Sequence, residues 1–270
     1  MRKLLHSGIL PLVATGLLTL FQGFDGVHAD EGDGAVEAEI LELANAERRQ
    51  AGLTPLIREQ GLSALARQHS ESMAAGGFFA HIDREGLDAD GRRRTYDPGL
   101  FTVAYAENIV AVSWEDPHRT ALDCVRCWMA SGGHRRNLLD PKFTHTGVGV
   151  ARGTDGRLRA TQVFARPLAR LVGCFPARPR PGHTLRLDFT YLGPPSDRDR
   201  IRVAVIFPDP RVRFPLPKGM YSLGVGYFSP RWAGDRFTVA VPCRYGTGNY
   251  QVALGFPERR YPAFYTIPVK

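Results

Sequence analysis

Two imidazoles and two carboxylates, His81, His134, Glu107 and Asp123, carry the chemistry most readily seen in this chain. They fall in four segments: Gly77-Phe78-Phe79-Ala80-His81, Ala106-Glu107-Asn108-Ile109, Asp123 to Trp128, and Gly133-His134-Arg135-Arg136-Asn137. Two neutral imidazoles and two carboxylates are the donor set of a divalent metal or of an acid/base cleft. His81 opens a loop, a poor place for a core histidine. His134 follows Gly132-Gly133, where permissive backbone lets an imidazole turn into a cleft. Glu107 reads as the carboxylate that orients an imidazole through its second nitrogen. His69, on the apolar face of a helix, reads as a hydrogen-bonded core histidine, and His145, at a strand start, as structural.

The elements that must position these residues can be read from periodicity. Val36 to Gln50 has Ile40, Leu43, Ala44 and Glu47 at helical spacing, and Gly52 closes the helix. Gln60 to Ala75 places Leu62, Leu65, Ala66, His69 and Met73 on one helical face, stopped by Gly76-Gly77. Residues 82–105, rich in Asp, Gly and Arg, read as a long surface loop. Pro117 to Ala130 is a third helix with proline in its first turn. Gly147 to Ala151 and Arg159 to Ala165 read as paired strands about Gly153-Thr154-Asp155-Gly156. Beyond Pro176, Pro179 and Pro181 the period becomes two, with Leu185, Leu187, Phe189 and Tyr191 alternating with polar residues. Further strands at 201–207, 221–228, 237–243 and 250–256 predict a second, antiparallel β-sandwich domain, immunoglobulin-like in broad shape.

The ends and the charge bound the setting. Met1-Arg2-Lys3, an apolar run from Gly8 to Phe21 and Val27-His28-Ala29 form an expected export signal, with the mature chain starting near Asp30. The run is shorter than the roughly 20 apolar residues of a membrane span, so no transmembrane segment is expected in the mature chain. Losing Arg2, Lys3 and Asp25 lowers the net charge from +8 by one. The charge is scattered, with Arg92-Arg93-Arg94 the one tight cluster, and no motif for specific nucleic-acid binding is present. Four cysteines in an exported chain suggest disulfides. Cys174 and Cys243 form the expected pair. Cys124 and Cys127 lie three apart on a helix, a spacing too wide for a relaxed bridge.

The first half resembles the CAP superfamily (cysteine-rich secretory proteins, antigen 5 and pathogenesis-related 1 proteins), particularly its bacterial secreted branch. The motifs run in the family's order: Asn45-Ala46-Glu47-Arg48, Leu65-Ala66 with His69-Ser70, Gly77 to His81, and Glu107-Asn108-Ile109. Cys127 to Ser131, Gly133 to Leu139, Lys142 to Gly149 and Thr161-Gln162-Val163-Phe164 follow. The likeness spans roughly residues 38–166. It implies an α+β fold, a three-layer α-β-α sandwich with an open cleft, ahead of the β-sandwich. The expected organisation is a signal over 1–29, a CAP domain over 36–168, a linker over 169–181 and a β-sandwich domain over 182–270. The resemblance places the cleft tetrad on His81, Glu107, Asp123 and His134; Asp123 stands where the family usually has Glu, one methylene longer. It further implies zinc or another divalent cation held by His81 and His134, and a sterol, other lipid or cell-envelope ligand. The expected function is non-enzymatic binding outside the cell or in its envelope. The alternative is a zinc-dependent hydrolase of peptide or cell-wall material with Glu107 as general base.

Overall fold

Helix α1 (Glu31–Gln50) opens the part of the chain that the computed structural model describes, which is residues 31–173, 179–256 and 263–270. The expected export signal and Cys174 lie outside the described residues. Strand β1 (Ile57–Arg58) leads into helix α2 (Gln60–Gly76), whose ends are set by local chemistry. The Glu59 carboxylate accepts from the Leu62 amide at 2.6 Å, satisfying a donor the first turn leaves free. Gly77 closes the helix at φ 62°, a left-handed conformation that costs glycine little. His81 therefore leaves α2 at a fixed point.

Residues 82–105 are not one loop. They contain helix α3 (Ala89–Tyr96), started by Asp88 accepting from Gly91 N at 2.7 Å, and the first part of strand β2 (Leu100–Ser113). Helix α4 (Pro117–Ala130) is capped by Asp116, with proline where an amide would have no partner. The segment around His134 is likewise ordered, as helix α5 (Gly132–Leu138) rather than free glycine backbone. Strands β3 (His145–Arg152) and β4 (Arg157–Leu171) pair antiparallel around the expected turn.

These elements stack as helix, sheet, helix. Leu62 and Ala66 of α2 pack with Val163 and Ala165 of β4 on one face. Val36 and Ile40 of α1 pack with Val125 and Trp128 of α4 and with Leu158 and Ala160 of β4 on the other. The approach of α2 to β3 is set by two glycines. A Cβ on Gly147 would lie 2.1 Å from the backbone of Leu62 and Ser63, and one on Gly149 2.0 Å from that of Arg67. Strand β2 pairs with β4 alone among the described strands, so its other edge is open.

The second half adds β5 (Thr184–Tyr191), β6 (Arg202–Ile206), β7 (Arg213–Pro215), β8 (Tyr221–Leu223), β9 (Val225–Phe228), β10 (Arg231–Ala233), β11 (Arg236–Pro242), β12 (Gly248–Gly255) and β13 (Ala263–Val269). Strands β5, β11 and β10 extend the first half's sheet, while β13, β12, β6 and β9 form a second. The two sheets share one buried core, with Leu187, Phe189 and Val239 against Val203, Val205, Val252 and Leu254. Strand β4 runs through residue 168 and pairs Ala169, Arg170 and Leu171 with Tyr191, Thr190 and Phe189 of β5. Residues 169–171 of the expected linker are thus strand, and Phe101, Leu168 and Leu171 belong to the core of the second half.

Candidate functional site

At the open edge of β2, residues carried by both helical layers come together. Glu107 stands opposite Val163 in the β2–β4 register and shares its α2-facing side. His81, at the end of the turn after α2, turns back on it, and its Nδ1 lies 2.9 Å from Glu107 Oε1. The other carboxylate oxygen accepts from Arg92 Nη2 of α3 at 2.5 Å. Arg92 is buried, and its Nη1 also donates to the carbonyls of His81 at 2.9 Å and Leu87 at 3.0 Å. One guanidinium thus fixes both the carboxylate and the backbone of the histidine that the carboxylate orients. Half of the His81 side chain remains exposed.

His134 reaches the same edge from the opposite layer on α5. Asn108 Nδ2 donates to the His134 carbonyl at 3.0 Å, and Asn137 Nδ2 donates to Asn108 Oδ1 at 3.0 Å and to the Glu107 carbonyl at 3.3 Å. Two asparagines therefore tie α5 to β2. The rings of His81 and His134 stand 6.4 Å apart, centroid to centroid, inclined at 52°. Burial, and then the charge of His81, hold the His134 pKa below the ordinary histidine value. At neutral pH that ring is neutral and its lone pair is available to an electrophile. A groove of about 360 Å³ opens beside it, lined by Phe79, Ile109, Trp128, Ser131 and Arg157.

His69 is buried as expected, but it is not remote from the site. Its Nε2 lies 3.0 Å from the Ala80 carbonyl and 4.0 Å from Glu107 Oε1. Asp123 is held elsewhere: its carboxylate pairs with Arg119 at 3.7 Å and Arg126 at 3.9 Å on its own helix. None of its ion pairs reaches His81, Glu107 or His134. His145 bonds Thr144 at 2.9 Å, at the start of β3. Cys124 is buried and Cys127 exposed, both free thiols on α4; Cys243 is a buried free thiol, and its expected partner Cys174 is outside the described residues.

The arrangement suits a cation in part. A ring centroid lies roughly 3 Å from an ion bound through a ring nitrogen, so two rings around a tetrahedral ion sit about 5 Å apart. The observed 6.4 Å is wider than that spacing, so the rings would have to draw together to share an ion. Glu107 occupies Nδ1 of His81, the outer position that fixes a ligating imidazole through its second nitrogen. Among the described residues no group of three or more His, Cys, Asp or Glu side chains gathers around one point. The protein's own donors here are the imidazole pair.

Arg92 is the site residue that sequence reasoning missed, because it sits in a run of three arginines that reads as solvated charge. The Asn108–Asn137 bridge was missed as well, because its two residues lie 29 apart in different elements.

The layered fold and the paired histidines at an open sheet edge define an α+β domain with a polar cleft. Residues 41–164 match the model of the cysteine-rich secretory protein (CAP) family, and this part of the chain belongs to that family. Over 115 residues the chain is 36% identical to an uncharacterized protein of Bacillus subtilis, YkwD, covering 43% of this chain and 42% of that protein. Over 116 residues it is 32% identical to an uncharacterized membrane protein of the same organism, YlbC, covering 43% and 32%. The chain thus spans less than half the length of these curated relatives. Among solved structures, an extracellular protein with an SCP domain from Bacillus anthracis is 28% identical, with TM-score 0.42, covering 50% of this chain and 41% of that one.

Proposed function

We propose that this chain is an exported, non-enzymatic binding protein whose CAP cleft holds a divalent cation, zinc by donor type, between His81 and His134. The observation that carries this reading is the facing pair of imidazoles at the open edge of β2, one oriented through Nδ1 by Glu107 and the other kept neutral by burial. The ion would supply an electrophile with positions open to water or to a ligand oxygen. The adjoining groove, apolar along Phe79, Ile109 and Trp128 and basic at Arg157, would take an amphiphilic ligand, with lipid, sterol and cell-envelope components in that class. Both Glu107 oxygens are engaged, by His81 and by Arg92, which supports binding over a role as a free general base. Export rests on the signal-like segment 1–29 and agrees with the extracellular setting named for the B. anthracis protein.

Zinc titration by calorimetry, with elemental analysis of the purified mature chain, tests the proposal. The wild type binds one equivalent and the His81→Ala/His134→Ala chain binds none. Equal metal binding by the two proteins would remove the ligand assignment. Hydrolysis of peptide or wall substrates that disappears in the double variant would replace binding with catalysis.

A further inference from the structure

The short ribbon of β7 and β8 reverses the usual order of inside and outside. Its register pairs Arg213 with Leu223, Phe214 with Ser222 and Pro215 with Tyr221. Directly opposed residues share a face, and faces alternate along a strand. Phe214 therefore faces inward with Ser222; its ring lies 5.3 Å from that of Phe228 and 6.0 Å from that of Phe207. The outward face is Arg213, Pro215, Tyr221 and Leu223. An antiparallel pair with one face on a core normally turns polar residues to water. Here Tyr221 is 51% exposed and Leu223 57%, with Met220 at 58% beside them.

The tip is shaped to project. Lys218 and Gly219 both take positive φ, 61° and 71°, and the Leu216 amide donates to the Met220 carbonyl at 2.8 Å. Lys218 stands at the apex of this turn. From residue 213 to 223 the sequence Arg-Phe-Pro-Leu-Pro-Lys-Gly-Met-Tyr-Ser-Leu holds two cations and no acid; Arg211, just before it, is paired with Asp209 at 3.0 Å. The Arg213 guanidinium lies 4.8 Å over the Tyr221 ring, so its charge sits at the margin of the apolar face. Pro215 denies β7 one of the amides that another copy would need to add a strand.

We propose that this ribbon docks the protein on an anionic phospholipid surface. Met220, Tyr221 and Leu223 enter the boundary between headgroups and acyl chains, and Arg213 and Lys218 contact the phosphates. Apolar insertion combined with cations at the rim is the chemistry of interfacial attachment, and the net positive charge, which persists without residues 1–29, favours the same approach. The surface uses none of the cleft residues, so its failure would leave the cleft reading intact.

Co-sedimentation of the mature chain with vesicles tests the proposal. The wild type pellets with vesicles of equal parts phosphatidylglycerol and phosphatidylcholine, stays in solution with phosphatidylcholine alone, and is released by salt. The Met220→Ser/Tyr221→Ser/Leu223→Ser chain binds roughly tenfold more weakly or worse, given the apolar burial it loses. The Arg213→Gln/Lys218→Gln chain, which leaves the apolar face whole, loses the preference for phosphatidylglycerol; it decides the matter if the triple variant does not fold. Absence of wild-type binding, equal binding by the ribbon variants, or a wild-type dimer that the triple variant abolishes would each overturn the proposal, the last in favour of a second copy on this face.

Discussion

Glu107 is held from two sides, by an imidazole that remains half in water and by a guanidinium that does not. The buried partner carries the greater energetic consequence. Replacing Arg92 by Met leaves a buried carboxylate without its cation, which costs about 3–5 kcal/mol. Urea denaturation should show a loss of that size, and Arg92→Lys should recover only part of it, since an ammonium cannot span Glu107, His81 and Leu87 together. A change under about half a kcal/mol would mean the clamp is not structural. His69 gives a pH dependence of definite sign. Burial holds its pKa below the ordinary value, with Glu107 opposing. The unfolded chain takes up the proton as pH falls below about 6.5 while the folded chain resists it. This contribution to stability is therefore present above that pH and is lost as pH falls toward the folded value. The fall in urea midpoint between pH 7.5 and 5.5 should be smaller in His69→Gln than in the wild type; equal falls would assign the dependence to other groups. His81, Glu107 and His134 were legible in the sequence because each sits in its own compact motif. Arg92 was not, because its partner lies fifteen residues on in another element, and linear order says nothing about which cation turns inward.

At the scale of elements, the join between α2 and β3 has the least room in the first half. The Gly-Val-Gly-Val run of β3 alternates valines toward α1 and α4 with glycines beneath α2. A methyl group on Gly147 meets helix backbone at 2.1 Å, and backbone cannot move aside as a side-chain tip can. Gly147→Ala should cost about 3 kcal/mol, the upper part of the range for overpacking. The shift of α2 should also carry His81 away from His134, so zinc affinity should fall with stability. Retained zinc affinity in a destabilised variant would show that the histidine pair does not depend on the α2 position. The sequence revealed α1, α2 and α4 through their apolar spacing. It hid α3, whose mean composition is polar because its inward residues are arginines bound to carbonyls and carboxylates. Residues around His134 looked like a flexible glycine turn, yet the Asn108–His134 bond and buried Leu138 hold them as helix α5.

At the scale of the molecule, the proline-rich stretch after residue 175 reads as a boundary, but β4 has already crossed into the second half's sheet before those prolines occur. Period-two alternation predicted β5, β6, β11 and β12 and ran β8 and β9 together as one strand, but it missed β7, β10 and β13; it also carried no signal that β4 would pair with β5, because pairing partners are chosen in space. The consequence is a shared core, in which Phe101 of β2 meets Phe189 of β5 edge to face at 5.4 Å and Phe189 stacks on Phe237 of β11 at 5.0 Å. Two halves joined by a free linker would melt independently. Two halves joined by a continuous sheet and one aromatic cluster should unfold together. Calorimetry of the mature chain should give a single endotherm. Phe189→Ala, which opens a cavity where both halves contribute atoms, should lower that endotherm as a unit, for a loss of about 3–5 kcal/mol. Two endotherms with only the second displaced would mean that the CAP half stands without its neighbour. In that case the sheet continuity would add no stability to the cleft. If the single transition moves, zinc bound at His81 and His134 should raise it for the whole chain, because a ligand of the native state stabilises everything that unfolds with its site.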